Sequence, residues 1–182
     1  DLQMSLEDLH FTRSYSVPLV LDAMSFLQEM KKKKSHLTHW FSLADILVLD
    51  IGEAEMILGY KVISHQSMEK AALELLNLGC KTVFLVGRHL SETWCHDYWT
   101  NGTNSFWLTQ KGLPCLPSAE SRSILSAAIT ASLALGYVLE DAIIIAKMYT
   151  RQAIRRAQTG FDYGTFPEDE IDLPYLASMP LF

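Results

Sequence analysis

Two short apolar segments, each ending in an aspartate, most constrain the fold of this chain. Residues 17–22 and 44–50 are dominated by branched apolar side chains and close on Asp22 and Asp50. Apolar runs of this length are typical of strands that are buried on both faces of a parallel sheet. Ligands of open α/β sheets bind at the carboxyl ends of the strands. Both aspartates are therefore candidate site residues, although an acid in this position also commonly caps the next turn or helix.

Helix-like and strand-like segments alternate along the middle of the chain. Residues 53–58 and 66–78 have helical patterns that stop at Gly59 and Gly79, and residues 82–86 form a third apolar strand. The sequence contains no internal repeat and no low-complexity linker. The alternation predicts one α/β domain with mostly parallel strands.

A hairpin is predicted between residues 93–99 and 105–109. Asn101 and Gly102 separate the two segments, and this pair is typical of a tight turn between antiparallel strands. Asn101-Gly102-Thr103 also fits the glycosylation pattern. We favour the turn, because both flanking segments are strand-like.

The longest apolar run, residues 124–139, follows a junction at residues 117–123 that is suited to a phosphate-binding turn. A helix that begins near Ser123 would direct its free backbone N–H groups and the positive end of its dipole at a ligand in front of it. The alternative is a buried structural helix that Ser121 or Ser123 caps without any ligand. Gly136 is the predicted end of this helix.

The C-terminal third completes the domain. A further helix is predicted over residues 139–157. The domain is expected to cover residues 1–160, and residues 161–182 form an acidic, proline-bearing tail that wraps the surface or meets a partner.

Composition narrows the class of function. The 182 residues are 49% hydrophobic and carry a net charge of −6, which argues against a nucleic-acid-binding protein. The three cysteines match neither a zinc pattern nor a disulfide framework. The uninterrupted apolar run is shorter than the ~20 residues that cross a bilayer, and no signal peptide opens the chain. We expect a cytoplasmic protein without membrane partners.

Several short motifs follow one another over residues 17–160. Residues 18–22 read Pro-Leu-Val-Leu-Asp and are followed by Met24, and residues 53–55 read Glu-Ala-Glu. These motifs resemble the strand into Asp-Pro-Val-Met and the Glu-Ala-Glu of the hydroxymethylpyrimidine and phosphomethylpyrimidine kinases of thiamine biosynthesis. Further matches follow in the family's order and spacing: Ala71, Ala72, Leu78, Gly79, Gly87, His89, Leu90, residues 125–129, Leu133, Ala134, Gly136, Ala146 and Lys147.

The resemblance implies a fold and an activity. The fold is the ribokinase-like three-layer α/β fold with a mostly parallel central sheet, here expected to lack the family's N-terminal strands. The activity is transfer of the ATP γ-phosphoryl group to a small pyrimidine. The implied cofactors are ATP and Mg²⁺ if the chain is active and none otherwise, and the implied partners are a pyrimidine, a nucleotide and a second copy in a homodimer.

The resemblance also implies site residues. Glu53 and Asp50, in the place of the family's Asn-x-x-Glu, are the expected metal ligands. The expected nucleotide and phosphate ligands are Asp22, Arg88, His89 and Ser121.

The family's anion hole, a Gly-Thr-Gly-Cys turn, corresponds to residues 120–123, which read Glu-Ser-Arg-Ser. Ser123 and Arg122 therefore take the expected catalytic places. A guanidinium at Arg122 is able to hold a phosphate, but an arginine at a helix start opposes the dipole and usually points to solvent. Both glycines are replaced, and Arg88 follows Gly87 where the family's segment is Lys-Gly-Gly-His.

Three hypotheses follow from these differences. The first is a kinase-like protein with little or no phosphotransferase activity. The second is an active kinase whose substrate side is supplied by another subunit or segment. The third is a binding or assembly module that uses an exposed sheet edge, with homodimerisation as the simplest way to cover it.

Overall fold

The computed structural model describes residues 18–26, 37–87, 94–111 and 118–158. Arg88, His89 and the tail from residue 161 onward lie outside the described residues, so the expectations placed on them remain predictions. No helix in the described ranges is both long enough and apolar enough to pass through a membrane.

A five-stranded sheet forms the centre of the described structure, in the order β1-β2-β3-β4-β5. The first three strands are parallel to one another, and the last two continue the sheet antiparallel. The strands are β1 (Val20–Asp22), β2 (Ile46–Asp50), β3 (Val83–Val86), β4 (Trp94–Thr100) and β5 (Ser105–Lys111).

Helices cover both faces of this sheet. A short 3₁₀ helix (Ala23–Phe26) follows β1. The α-helices are α1 (Leu37–Leu43), α2 (Ile51–Leu58), α3 (His65–Asn77), α4 (Ser118–Ala134) and α5 (Leu139–Gln158).

Two hydrophobic cores give the molecule three layers. One core joins the inward side chains of β1–β3, such as Leu47 and Leu85, to α1, α2 and α3. The other joins the opposite side chains, such as Ile46 and Phe84, to α4 and α5. Since successive residues of a strand face opposite sides, the unbroken apolar runs of the sequence bury both faces of the sheet.

The predicted strands, hairpin and most helices are confirmed to within a few residues. The side-chain oxygen Oδ1 of Asn101 accepts hydrogen bonds from the backbone N–H groups of Thr103 and Asn104 at the hairpin turn. Gly102 has a positive φ of 88°. Glycine adopts that conformation without a steric cost. Helix α1 was not predicted, since its seven residues show too short a pattern.

The expectation that the apolar helix begins near Ser123 is wrong, because α4 begins at Ser118. Residues 118–123 contain no glycine, and alanine, glutamate and arginine favour the helix. The helix therefore includes residues 118–123 of the junction.

Candidate functional site

Two of the predicted acids lie at the same edge of the sheet. Asp22 is the last residue of β1 and Asp50 is the last residue of β2. The two strands are parallel neighbours, so their carboxyl ends point the same way. The third parallel strand ends beside them at Val86, before Gly87.

Glu53 joins this edge through a capping box at the start of α2. The Glu53 backbone N–H donates to Oδ1 of Asp50 at 2.9 Å, and the Asp50 backbone N–H donates to Oε2 of Glu53 at 2.9 Å. Reciprocal bonds of this kind satisfy two N–H groups that a helix start leaves free. They also hold Glu53 inward, where it is only 3% exposed.

Arg122 extends from α4 into this group of acids. Its Nη1 lies 3.1 Å from Oδ2 of Asp50 and also contacts Oε2 of Glu53, while its Nε lies 3.6 Å from Oδ1 of Asp22. Arg122 is only 4% exposed. The expectation that this arginine points to solvent is therefore wrong. We call Asp22, Asp50 and Glu53, arranged around the guanidinium, the carboxylate cluster.

The early start of α4 explains why Arg122 faces inward. At helical spacing Arg122 shares a face with Leu125, Ser126 and Ile129, which lie three, four and seven residues later. Leu125 and Ile129 are buried against the sheet. Ser126 donates its hydroxyl to Oδ2 of Asp22 at 2.9 Å, which fixes the remaining side of the cluster.

Ser121 and Ser123 occupy different positions on the same helix. Ser121 is buried, and it has contacts with its surroundings, whereas Ser123 is exposed. Because α4 begins at Ser118, the backbone N–H of Ser123 falls beyond the four that a helix start leaves free. The predicted capping of this helix by Ser121 or Ser123 is wrong, because both residues lie inside α4. The phosphate-binding and catalytic roles expected of them remain predictions.

Burial is the largest influence on the pKa of Glu53. Burial raises the pKa of Glu53 from its ordinary value to about 7, and the negative charges of Asp50 and Asp22 act in the same direction. The Asp50 backbone N–H and the Arg122 guanidinium oppose the rise by favouring the ionised carboxylate. One guanidinium thus faces three acids.

A second buried ion pair lies next to the site. Lys147 of α5 places its Nζ 2.6 Å from Oδ2 of Asp97, a carboxylate with no exposed surface. The other Asp97 oxygen accepts the backbone N–H of Gly87 at 3.1 Å. This contact ties the end of β3 to β4 and α5.

A cleft between α4, α5 and the strands opens beside the cluster. Its lining includes Ser121, Arg122, Lys147, Lys111 and Arg151. Arg151 donates to the backbone carbonyl of Lys111 at 2.7 Å. Arg122 and Lys147 are balanced by the carboxylate cluster and by Asp97. Lys111 and Arg151 therefore form the cationic wall of the cleft, an arrangement suited to an anion.

The cluster, as it is arranged, does not fit a divalent metal ion. Within the described ranges, no group of three or more histidine, cysteine, aspartate or glutamate side chains is placed to hold a metal. Asp50 and Glu53 instead face one guanidinium nitrogen that lies between them. The assignment of these two acids as Mg²⁺ ligands stays a prediction.

Comparison with known proteins identifies the family. The family profile described as phosphomethylpyrimidine kinase matches residues 10–168, which is most of the chain. The chain belongs to the phosphomethylpyrimidine kinase family. The hydroxymethylpyrimidine/phosphomethylpyrimidine kinase of Mycobacterium tuberculosis is 29% identical over 119 residues, covering 64% of this chain and 43% of the relative. The thiamine biosynthesis bifunctional protein ThiED of Geobacter sulfurreducens is 32% identical over 118 residues, covering 65% of this chain and 24% of the relative.

Solved structures give the same fold. A phosphomethylpyrimidine kinase from Clostridium difficile matches with a TM-score of 0.62 and 29% identity, covering 81% of this chain and 61% of that one. The pyridoxal kinase of Staphylococcus aureus, solved with AMP-PCP and pyridoxal, matches with a TM-score of 0.72 and 22% identity, covering 84% and 59%. The fold is ribokinase-like. The chain spans less than two thirds of each of these proteins.

The site combines predicted residues with ones that sequence reasoning missed. Four of the predicted residues lie together at the edge of the sheet, where the arginine contacts all three acids: Asp22, Asp50, Glu53 and Arg122. The residue that sequence reasoning missed is Ser126, which donates to Asp22. Its position four residues after Arg122, on an otherwise apolar helix face, is the sequence signal that could have indicated a role in the site.

Proposed function

We propose that this chain is a phosphomethylpyrimidine kinase-like protein of thiamine metabolism with little or no ATP-dependent phosphotransferase activity. The observation that carries the proposal is the Arg122 guanidinium inside the carboxylate cluster. Phosphoryl transfer depends on Mg²⁺ and on positioned donors around the transferred group. Acids that neutralise a buried guanidinium are not free to hold the metal in the same arrangement.

The helical junction supports the same proposal. Backbone N–H groups approach a phosphate closely in glycine-rich turns, because no side chain stands in the way. Residues 118–123 are helical and contain no glycine. The loss of one preorganised donor typically lowers the rate by ~10²- to 10³-fold.

The proposal is tested by measuring ADP release from ATP and Mg²⁺, with hydroxymethylpyrimidine or its phosphate as acceptor. We expect the purified chain to give a rate close to the acceptor-free background. The variant Glu120→Gly/Arg122→Gly, which restores both glycines, should give a higher rate if it folds. Rapid acceptor-dependent ADP release by the unaltered chain would refute the proposal.

An active kinase is the second candidate, and the cationic wall of the cleft favours it. Lys111 and Arg151 form that wall, so a nucleoside triphosphate would meet positive charge there. This candidate requires Glu53 for the reaction. Acceptor-dependent ADP release that Glu53→Gln abolishes would support it, and unchanged release in that variant would count against it.

Homodimerisation is a separate proposal about partners. Among the described strands β1 has a single neighbour, β2, and strand edges invite pairing unless they are covered. A second copy of the chain is the simplest cover. Light scattering at high concentration should give the mass of a dimer, whereas a monodisperse monomer would contradict the proposal.

A further inference from the structure

The carboxylate cluster faces a positive group that belongs to the protein itself. We propose that the Arg122 guanidinium is a built-in replacement for a divalent cation, so that the cluster excludes metal in this chain and accepts it once the guanidinium is removed. This inference deepens the proposed function and rests on it for the identity of the site. The disagreement between the family's metal chemistry and the donors seen here is what carries it.

The positions of the donors and acceptors are the first argument. One nitrogen, Nη1 of Arg122, contacts both Asp50 and Glu53 and so occupies the space between their carboxylates. The other carboxylate oxygens of the two aspartates also accept hydrogen bonds. Oδ1 of Asp50 accepts one from the Glu53 backbone N–H, and Oδ2 of Asp22 accepts one from the Ser126 hydroxyl. Mg²⁺ demands near-octahedral oxygen ligands at about 2.0–2.1 Å. A nitrogen cation in the middle of the cluster leaves no such position.

The permanence of the guanidinium charge is the second argument. Arginine stays protonated in proteins and matches carboxylates well, so this cation is present at every ordinary pH. Arg122 is 4% exposed and is attached to a helix that packs on α5 and β1. A metal ion entering the cluster would have to displace it. The displaced cation would then need a new partner, because an unpaired buried charge is strongly unfavourable.

The remaining negative charge is the third argument. Three carboxylates surround one guanidinium, so the cluster has more acid than the arginine neutralises. Removal of the guanidinium leaves the acids close together with no counter-charge. A divalent cation is then the simplest group that restores the balance, and the carboxylate oxygens at this edge of the sheet are the ligands that would have to close around it.

The experiment is a titration of the whole chain with Mn²⁺, followed by electron paramagnetic resonance, without nucleotide or pyrimidine. Arg122→Met removes the charge and keeps an apolar side chain beside Met24, whose sulfur contacts Nη2 of Arg122. Arg122→Lys keeps a cation. Arg155→Met removes an equal charge from an exposed position at the end of α5 and controls for net charge. Thermal unfolding with Mg²⁺ or with chelator is recorded for each protein.

We expect no saturable Mn²⁺ site in the unaltered chain, in Arg122→Lys or in Arg155→Met. Arg122→Met should gain one saturable site, with an affinity roughly tenfold or more above the detection limit that the titration sets for the unaltered chain, and Mg²⁺ should raise its unfolding temperature. A site in the unaltered chain that Glu53→Gln removes would overturn the inference. So would a folded Arg122→Met protein that binds no Mn²⁺, or an Arg122→Met protein that stays unfolded even with millimolar Mg²⁺.

The titration separates this inference from the proposed function. Metal bound by the unaltered chain without ADP release would overturn the inference alone. Acceptor-dependent ADP release by a chain that binds no Mn²⁺ by itself would overturn the proposed function alone, because the metal then arrives with the nucleotide.

Discussion

Two lysine–aspartate pairs in this protein have the same length but differ in burial, which makes a sharp prediction about stability. Lys147 lies 2.6 Å from Asp97, and Lys81 lies 2.6 Å from Asp45. Each aspartate also accepts one backbone N–H, from Gly87 for Asp97 and from Leu19 for Asp45. The side chains of the first pair are 13% and 0% exposed, whereas those of the second are 60% and 21% exposed.

Burial decides the expected magnitudes. Lys147→Met leaves the Asp97 carboxylate buried without its counter-charge, and breaking a buried pair from one side costs about 3–5 kcal/mol. We take the lower end of this range, about 3 kcal/mol, as the expected loss. Lys81→Met removes an exposed pair, and such pairs contribute about 0–1 kcal/mol.

Urea unfolding followed by circular dichroism measures both variants. The urea concentration at the unfolding midpoint should fall much further for Lys147→Met than for Lys81→Met. The slope of the unfolding free energy against urea concentration should stay unchanged. For a chain of this size about 3 kcal/mol corresponds to a decrease of roughly 6–12 °C in Tm.

The double variant Lys147→Met/Asp97→Asn is the control. It should recover most of the lost stability, because no buried charge remains. Equal losses for the two single lysine variants, or no recovery in the double variant, would refute this account of burial.

Two further predictions concern close packing and thiol reactivity. Gly87→Ala should destabilise the protein by about 3 kcal/mol or more, because an added Cβ would lie 1.8 Å from the His96 carbonyl oxygen. Urea unfolding measures the loss of stability. An unchanged free energy of unfolding would contradict the close contact. Burial raises the pKa of the Cys80 thiol to about 12, so with Cys95 and Cys115 replaced by alanine we expect Cys80 to react with a disulfide reagent at pH 8 only after unfolding. Rapid reaction of the native protein would show that the thiol is accessible.

The strands and their terminal acids were predictable from the sequence because the signal is local. The apolar runs that end in Asp22 and Asp50 are buried on both faces of a parallel sheet, and that is why they carry no polar alternation. The hairpin was equally local, since Asn101 and Gly102 favour a turn whatever packs on it. These features fixed the edge of the sheet at which the site lies.

The direction of Arg122 was not predicted, because it depends on where α4 begins. A start near Ser123 places the arginine outside the helix, whereas the observed start at Ser118 places it on the buried face with Leu125 and Ile129. The four-residue spacing to Ser126 was visible in the sequence. The hydrogen-bond partner of Ser126, Asp22, lies 104 residues away in the sequence, and only the fold brings these two residues together.

Diffraction from crystals soaked in Mn²⁺ tests most directly the claim that Arg122 takes the place of a divalent cation. The anomalous signal of manganese would be mapped for the unaltered chain and for Arg122→Met under the same conditions. We predict density for the guanidinium and no manganese peak between Asp50 and Glu53 in the unaltered chain, with a peak there in the variant. A manganese peak between these two acids in the unaltered chain, with the guanidinium turned away, would contradict the account.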